Sequence, residues 1–270
     1  RAALADARAL ADAHAFAPSS RVAAVAAQGF TWLRPRGLAQ LPDGGVLVCD
    51  SGHNRIRLLG ADGSVSVFAG SGRKGMQDGP AAGASFDAPS GLCVCADGTV
   101  LVADTGNHSI RAISAGTAAK RSVITIAGCG RAGTADGLAA AAAFDKPTAV
   151  LALGGFGRPG EGEGVAYVAD SANHAIRAIS VGSRRDGELN VGTLCGRVGA
   201  PGSTDGGLAE ARFACPTGLA LLSDGTLLVT DATSNNVRAV SFHSRTVRTL
   251  AGVVDGGWGL VDGPCHEARF

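Results

Sequence analysis

An eight-residue motif recurs four times along this chain, and a recurring unit restricts the fold more than any single segment can. Asp50-Ser-Gly-His-Asn-Arg-Ile-Arg57 returns as Asp104-Thr-Gly-Asn-His-Ser-Ile-Arg111. It appears again as Asp170-Ser-Ala-Asn-His-Ala-Ile-Arg177 and as Asp231-Ala-Thr-Ser-Asn-Asn-Val-Arg238. Successive copies start 54, 66 and 61 residues apart. A second marker keeps the same rhythm: Phe86-Asp-Ala-Pro89, Phe144-Asp-Lys-Pro147 and Phe213-Ala-Cys-Pro216, with Trp32-Leu-Arg-Pro35 as a diverged copy. A third is Asp-Gly, at Asp78-Gly79, Asp136-Gly137, Asp205-Gly206 and Asp262-Gly263. Three markers in fixed order define one repeated structural unit.

Each unit reads as strands. In the first, apolar runs at 37–41 and 46–49 flank the turn Pro42-Asp-Gly-Gly45. Runs at 55–59 and 64–68 follow, separated by Ala61-Asp-Gly63. Short runs joined by tight turns make a meander of hairpins. Composition agrees: Gly is 41 of 270 residues, aromatic residues are 4% and Met occurs once, so turns are frequent and the core is aliphatic. A single four-stranded sheet cannot bury both faces alone, and Val and Leu on both sides of the second and third runs call for stacking on neighbours. The expected fold is all-β, a β-propeller of four-stranded antiparallel blades. Its four units lie at about 35–70, 89–128, 147–195 and 216–252.

The motif resembles the NHL repeat: an Asp, an Asn-His pair, a β-branched residue and Arg, after a Pro-x-Gly-Leu strand and a second hydrophobic strand. Asn107-His108 and Asn173-His174 fit it, and His53-Asn54 and Ser234-Asn235 are variants. The resemblance covers about 35–270 and implies a β-propeller, usually six-bladed. The long Asp-Gly…Phe-x-x-Pro connections look most like NHL modules attached to thioredoxin-like domains in eukaryotes. At about 60 residues per blade, six blades take about 360. The four units are therefore expected to belong to a larger ring truncated at its C-terminal end. Residues 1–30 read as a short Ala-rich N-terminal helix or linker that ends before Pro18, then a run at 21–27 that suits the outer strand of an earlier blade.

The recurring polar residues invite a catalytic reading. Asp50, Asp104, Asp170 and Asp231 could line a site. Each instead ends a strand and opens a tight turn, where Asp caps backbone N–H groups. Asn54, Asn107, Asn173 and Asn235 belong to the same turns. Metal ligands must converge to about 2 Å from one ion, and His53, His108 and His174 on separate blades do not. Arg57, Arg111, Arg177 and Arg238, on third strands, are expected to pair with an Asp of the same or the next blade, at exposed positions where such bonds contribute little. Peptidyl-hydroxyglycine lyases resemble NHL propellers and bind zinc through central His residues placed after a blade's Pro. Here Arg36, Ser90, Thr148 and Thr217 hold that position, so the zinc site does not carry over.

No catalytic residue, metal or cofactor is therefore expected. The formal net charge of +1 offers no global field for nucleic acid, and the basic pairs divide between the two faces. No apolar stretch is long enough to span a bilayer. Seven cysteines without a C-x-x-C pair suit buried free thiols, and lean to a reducing intracellular compartment. The remaining candidates are partner contacts. Unit three carries insertions at 154–164 and 182–187, offering Phe156, Arg158, Glu161, Glu163, Arg184 and Arg185; Arg73 and Lys74 lie on a connection. The expected role is a non-catalytic scaffold for protein partners in a larger protein or assembly. The alternatives are a propeller enzyme with catalytic groups in missing blades, and single-stranded RNA binding through one face.

Overall fold

A computed structural model describes residues 31–155, 164–181, 188–253 and 258–270. The expected N-terminal helix and the run at 21–27 lie outside these residues. The first unit folds into four antiparallel strands, β1 (Pro35–Gln40), β2 (Val46–Asp50), β3 (Arg55–Leu59) and β4 (Val65–Ala69), paired in chain order. The second comprises β5 (Gly79–Pro80), β6 (Gly91–Val94), β7 (Val100–Asp104), β8 (Ser109–Ile113) and β9 (Ser122–Ala127). The third has β10 (Gly137–Leu138), β11 (Pro147–Leu153), β12 (Val165–Asp170), β13 (Ala175–Val181) and β14 (Leu189–Cys195). The fourth has β15 (Gly206–Gly207), β16 (Pro216–Leu221), β17 (Leu227–Asp231), β18 (Asn236–Ser241) and β19 (Thr246–Ala251). These are four propeller blades.

The Gly-rich connections are more ordered than the sequence suggests. Each Asp-Gly pair contributes a two-residue strand (β5, β10, β15) to the outer edge of the following blade, so blades two to four have five strands. We call this segment the clasp. Its glycines hold φ between 118° and 153°, where a side chain would be strained.

Burial follows the repeat. β7 and β8 are buried along their whole length, because each blade packs on both neighbours. Leu47, Cys49, Ile56 and Phe68 of blade one meet Leu92, Val100, Val102, Ile113 and Val123 of blade two. Leu101, Ala103 and Ile110 meet Val150, Val168, Ile179 and Val191, and Tyr167, Ala169 and Ile176 meet Leu227, Val229 and Val240. The inner strands pack in chain order, β1 on β6, β6 on β11 and β11 on β16.

Candidate functional site

The repeated polar residues converge within each blade on a buried latch. In blade two, a register shift between Ile110 and Arg111 sets Arg111 opposite Thr125 on the outer strand. Its guanidinium is fully buried and donates to four acceptors: Asp104 Oδ2 (2.8 Å), Ser85 O (3.0 Å), Gln77 O (3.1 Å) and Asp78 Oδ1 (2.5 Å). It lies 5.3 Å over the Phe86 ring. Asp78 also accepts from Thr125 N (2.9 Å) and Thr125 Oγ1 (3.1 Å), which ties the clasp to the outer strand. Blade three repeats this with Arg177, Asp170, Asp136, Phe144 and Thr193. In blade four, Arg238 binds Asp205 (2.7 Å) and stacks on Phe213.

Two expectations are corrected here. The arginines are not at exposed sites: Arg111, Arg177 and Arg238 are among the largest fully buried side chains, and Arg57 is 5% exposed. Away from water their ion pairs are strongly coupled to folding. The aspartates do not cap their own turns either. Asp104 accepts from Asp87 N (2.8 Å), Asp170 from Asp145 N (2.7 Å), Asp50 from Leu33 N (2.9 Å) and Asp231 from Ala214 N (2.8 Å). Each carboxylate thus orders the residue after Phe or Trp in the second marker.

The Asn-His pair divides the work. Asn107 and Asn173 donate to Asp104 and Asp170 (2.7 and 2.8 Å). His108 and His174 follow in the left-handed conformation and reach the next blade, where Lys146 N donates to His108 Nδ1 (3.2 Å) and His174 Nδ1 meets Ala214 O. The inverted pair of unit one keeps both roles. His53 Nδ1 bonds Asp50 (2.9 Å), and Asn54, left-handed, accepts from Ala88 N (2.9 Å). Asn235 holds the left-handed position in unit four.

Burial pushes the Asp104 carboxyl up to about 6 against its three donors, and raises Asp170 likewise. A free Asp titrates near 3.9. Because the folded state holds this proton more tightly, the group favours folding fully below pH 4, and that contribution is lost as pH rises through 6. Between pH 4 and 7 the stability of wild type relative to Asp104→Asn should fall by about 2 kcal/mol. Urea titrations across that range check this, and parallel profiles would refute it.

The residues after each Pro meet at the axis. Arg36, Ser90, Thr148 and Thr217 line a cavity of about 330 Å³ together with Gly37, Gly91 and Gly218. Ser90 Oγ bonds Thr148 O (3.0 Å) and Thr105 Oγ1 (2.5 Å), and Thr148 Oγ1 bonds Ser171 Oγ (2.5 Å). Thr105 and Ser171 in turn donate to Pro147 O (2.7 Å) and Pro216 O (2.5 Å), and Ser51 to Pro89 O. These hydroxyls stitch one blade to the next, and Arg36 is an exposed cation in the lining of this cavity. Among the described residues no group of three His, Cys, Asp or Glu is placed to hold a metal. All seven cysteines are free, and burial pushes Cys195 up to about 12 and raises Cys49 as well, so both stay protonated thiols.

Of the candidate partner contacts, Arg73 and Lys74 sit exposed on the clasp connection of blade two, Lys74 3.2 Å from Asp87. Phe156, Arg158, Glu161, Glu163, Arg184 and Arg185 lie outside the described residues. The sequence reading missed the threonines (Thr125, Thr193, Thr249) and gave the clasp aspartates (Asp78, Asp136, Asp205) no partner. Turns of unequal length between third and fourth strands hide the threonine spacing from the Arg. The regular Asp-Gly marker was the available signal for the clasp.

Stacked blades of antiparallel strands, each with a buried Arg paired to Asp and the last three closed by a clasp, define a β-propeller built from one repeated unit. The sequence profile described as NHL repeat matches residues 33–57, 86–113 and 213–238, and the chain belongs to the NHL-repeat β-propeller family. Unit three lies outside those matches but has the same latch. The chain is 31% identical over 219 residues to NHL repeat-containing protein 2 of Bos taurus, covering 77% of this chain and 30% of that protein, and 29% identical to the Homo sapiens protein over the same shares. It thus spans about 30% of the length of these curated relatives. Among solved structures it resembles an auxiliary nutrient binding protein from Bacteroides thetaiotaomicron (15% identity, TM-score 0.61, 89% of this chain and 53% of that one). It also resembles a gluconolactonase from Xanthomonas campestris (15% identity, TM-score 0.51, 83% and 64%). At such identities the likeness is one of fold.

Proposed function

We propose that this propeller is a non-catalytic platform that binds a protein partner, as one module of a larger protein or assembly. The observation that carries the reading is a departure from the repeat on one face. The turns between inner and second strands are short in blades one, two and four, closed by Leu41 N→Gly45 O, Cys95 N→Thr99 O and Leu222 N→Thr226 O. In blade three the same turn is the long connection between β11 and β12. Leu153 and Leu222 stand exposed beside these turns (40% and 42%), an apolar border that suits a protein surface. The recurring polar residues of each unit are meanwhile engaged within and between blades, which supports a structural role for them.

Deleting residues 155–163 should leave the folded structure and unfolding midpoint unchanged and weaken partner binding at least tenfold. Purification at low salt with nuclease, with co-purifying chains identified by mass, supplies the partner for that assay. Unchanged binding by the deletion variant removes this loop from the proposal.

The axial cavity favours a second reading, small-molecule chemistry around Arg36. Turnover of a lactone probe that is lost in Arg36→Ala would support it over the platform. RNA binding has less in its favour. Arg121, of the pair Lys120-Arg121, lies 3.9 Å over Phe68, so its guanidinium is already stacked on a blade.

A further inference from the structure

The three clasps cross equivalent joints between blades, and at each joint one side chain of the clasped blade holds the same place. Ala81 N bonds Arg121 O (2.9 Å), Ala139 N bonds Leu189 O (2.8 Å) and Leu208 N bonds Arg245 O (3.2 Å), so Arg121, Leu189 and Arg245 are equivalent. On the preceding blade Phe68, Ile126 and Leu194 are equivalent, each one residue before the outer-strand partner of Ile56, Ile110 or Ile176. At the first joint Arg121 lies 3.9 Å over the Phe68 ring. At the second, Leu189 and Ile126 both pack on the core between blades two and three. At the third this cover is withdrawn. Arg245 ends a short turn in the left-handed conformation (φ 54°), and its side chain is exposed. A cavity of about 610 Å³ opens there, between the outer strand of blade three and the clasp of blade four.

The lining departs from the repeat in charge as well. Arg197 stands where the other joints have Ser71 and Cys129, and Glu210 where they have Gly83 and Ala141. Arg197, Arg245 and Glu210 are all exposed, and among the described residues none of them is held in an ion pair. Leu194, Val198 and Leu208 form the apolar part of the wall, each half-buried. Two cations and one anion leave a single positive charge beside an aliphatic surface.

We propose that this cavity is a binding site for an aliphatic monocarboxylate. Its size falls within the roughly 300–1,000 Å³ of small-molecule pockets. The ligand's carboxylate accepts charge-assisted hydrogen bonds from Arg197 and Arg245. Its aliphatic body covers Leu194 and Leu208, in the place that Leu189 fills at the second joint. Glu210 sets the specificity, because a carboxylate in the wall repels a dianion more than a monoanion. The site is independent of the platform proposed above, since none of its lining belongs to the connection between β11 and β12.

Octanoate, titrated into the protein by calorimetry below its micelle concentration, should bind saturably, one per chain, and shift the methyl resonances of Leu194 and Leu208. Arg197→Ala and Arg245→Ala alter exposed side chains, and each should weaken binding by about tenfold. Octanol, which has the same chain without the charge, should bind at least tenfold more weakly than octanoate. Leu194→Phe restores the ring that Phe68 presents at the first joint, and should also weaken octanoate at least tenfold. Should that variant fail to fold, the arginine variants decide. Glu210→Gln should raise the affinity for octyl phosphate at least threefold more than that for octanoate. Equal binding of octanoate and octanol overturns the proposal, as does octanoate binding unchanged in the double arginine variant. So does tighter binding of a capped Leu-Asp-Leu peptide, which would make a protein segment the occupant. Self-association that octanoate reverses would make the occupant a second copy, and overturns it too.

Discussion

Replacing Arg111 with Met should lower the unfolding midpoint by roughly 10 °C, the largest single effect expected in the described residues. The substitution keeps a side chain of similar length but removes the guanidinium's hydrogen bonds to Asp104, Asp78, Ser85 O and Gln77 O. Asp104 is fully buried, and two hydrogen bonds, from Asp87 N and Asn107 Nδ2, remain to it. Removing one partner of a buried pair costs about 3–5 kcal/mol, because the other charge stays desolvated. The clasp loosens as well, since Asp78 keeps only Thr125. Arg111→Lys should recover less than half of the loss: an ammonium cannot fork to four acceptors while stacking on Phe86. Thermal unfolding followed by far-ultraviolet circular dichroism measures both variants, and a change under 2 °C for Arg111→Met would show the latch to be energetically idle.

Gly91→Ala is expected to cost about 3 kcal/mol or more, although it adds a single methyl group. A Cβ there would lie 2.4 Å from Thr148 O and 2.8 Å from Ala149 Cα, both backbone atoms of β11. Neither can rotate away, so the inner strands must part. Gly37 is held alike, with Ser90 O at 2.4 Å. Gly218→Ala is the internal control. Its Cβ meets Thr230 Oγ1 at 2.7 Å, a side-chain atom that can turn, and the cost should stay below about 1 kcal/mol. Urea unfolding of the two variants separates them. Equal losses would mean that strand propensity, and not the approach of neighbouring inner strands, explains these glycines.

The Gly of the Pro-x-Gly-Leu strand shows where reading the sequence stops. Its recurrence was visible, but its cause lies in a strand more than fifty residues away, and blade three carries Ala149 at the same place. The latch shows the same limit. Asp104 and Arg111 are seven residues apart on adjacent strands of one hairpin, and the sequence suggested a pair with an Asp of the same or the next blade. Whether the pair was wet or dry depended on Phe86 and the clasp, which arrive from earlier in the chain. Local spacing carries no information about burial from both sides, so the expected exposed, weak bond proved to be a buried one.

What the sequence by itself determined was the unit: alternating or continuous apolar runs, Asp-Gly turns and a motif repeated four times, all governed by neighbours along the chain. These suffice to specify hairpins, blades and a family. Only the tertiary structure decided what the recurring charges do. It brought Asp78 onto the edge of the following blade, set Arg111 opposite Thr125 through a register shift, and gathered Arg36, Ser90, Thr148 and Thr217 at one axis. The physical reason is that hydrogen bonding within a hairpin is local, whereas desolvation is collective. A side chain's dielectric surroundings are set by whatever stacks on both faces of its sheet, and that is a property of the assembled blades.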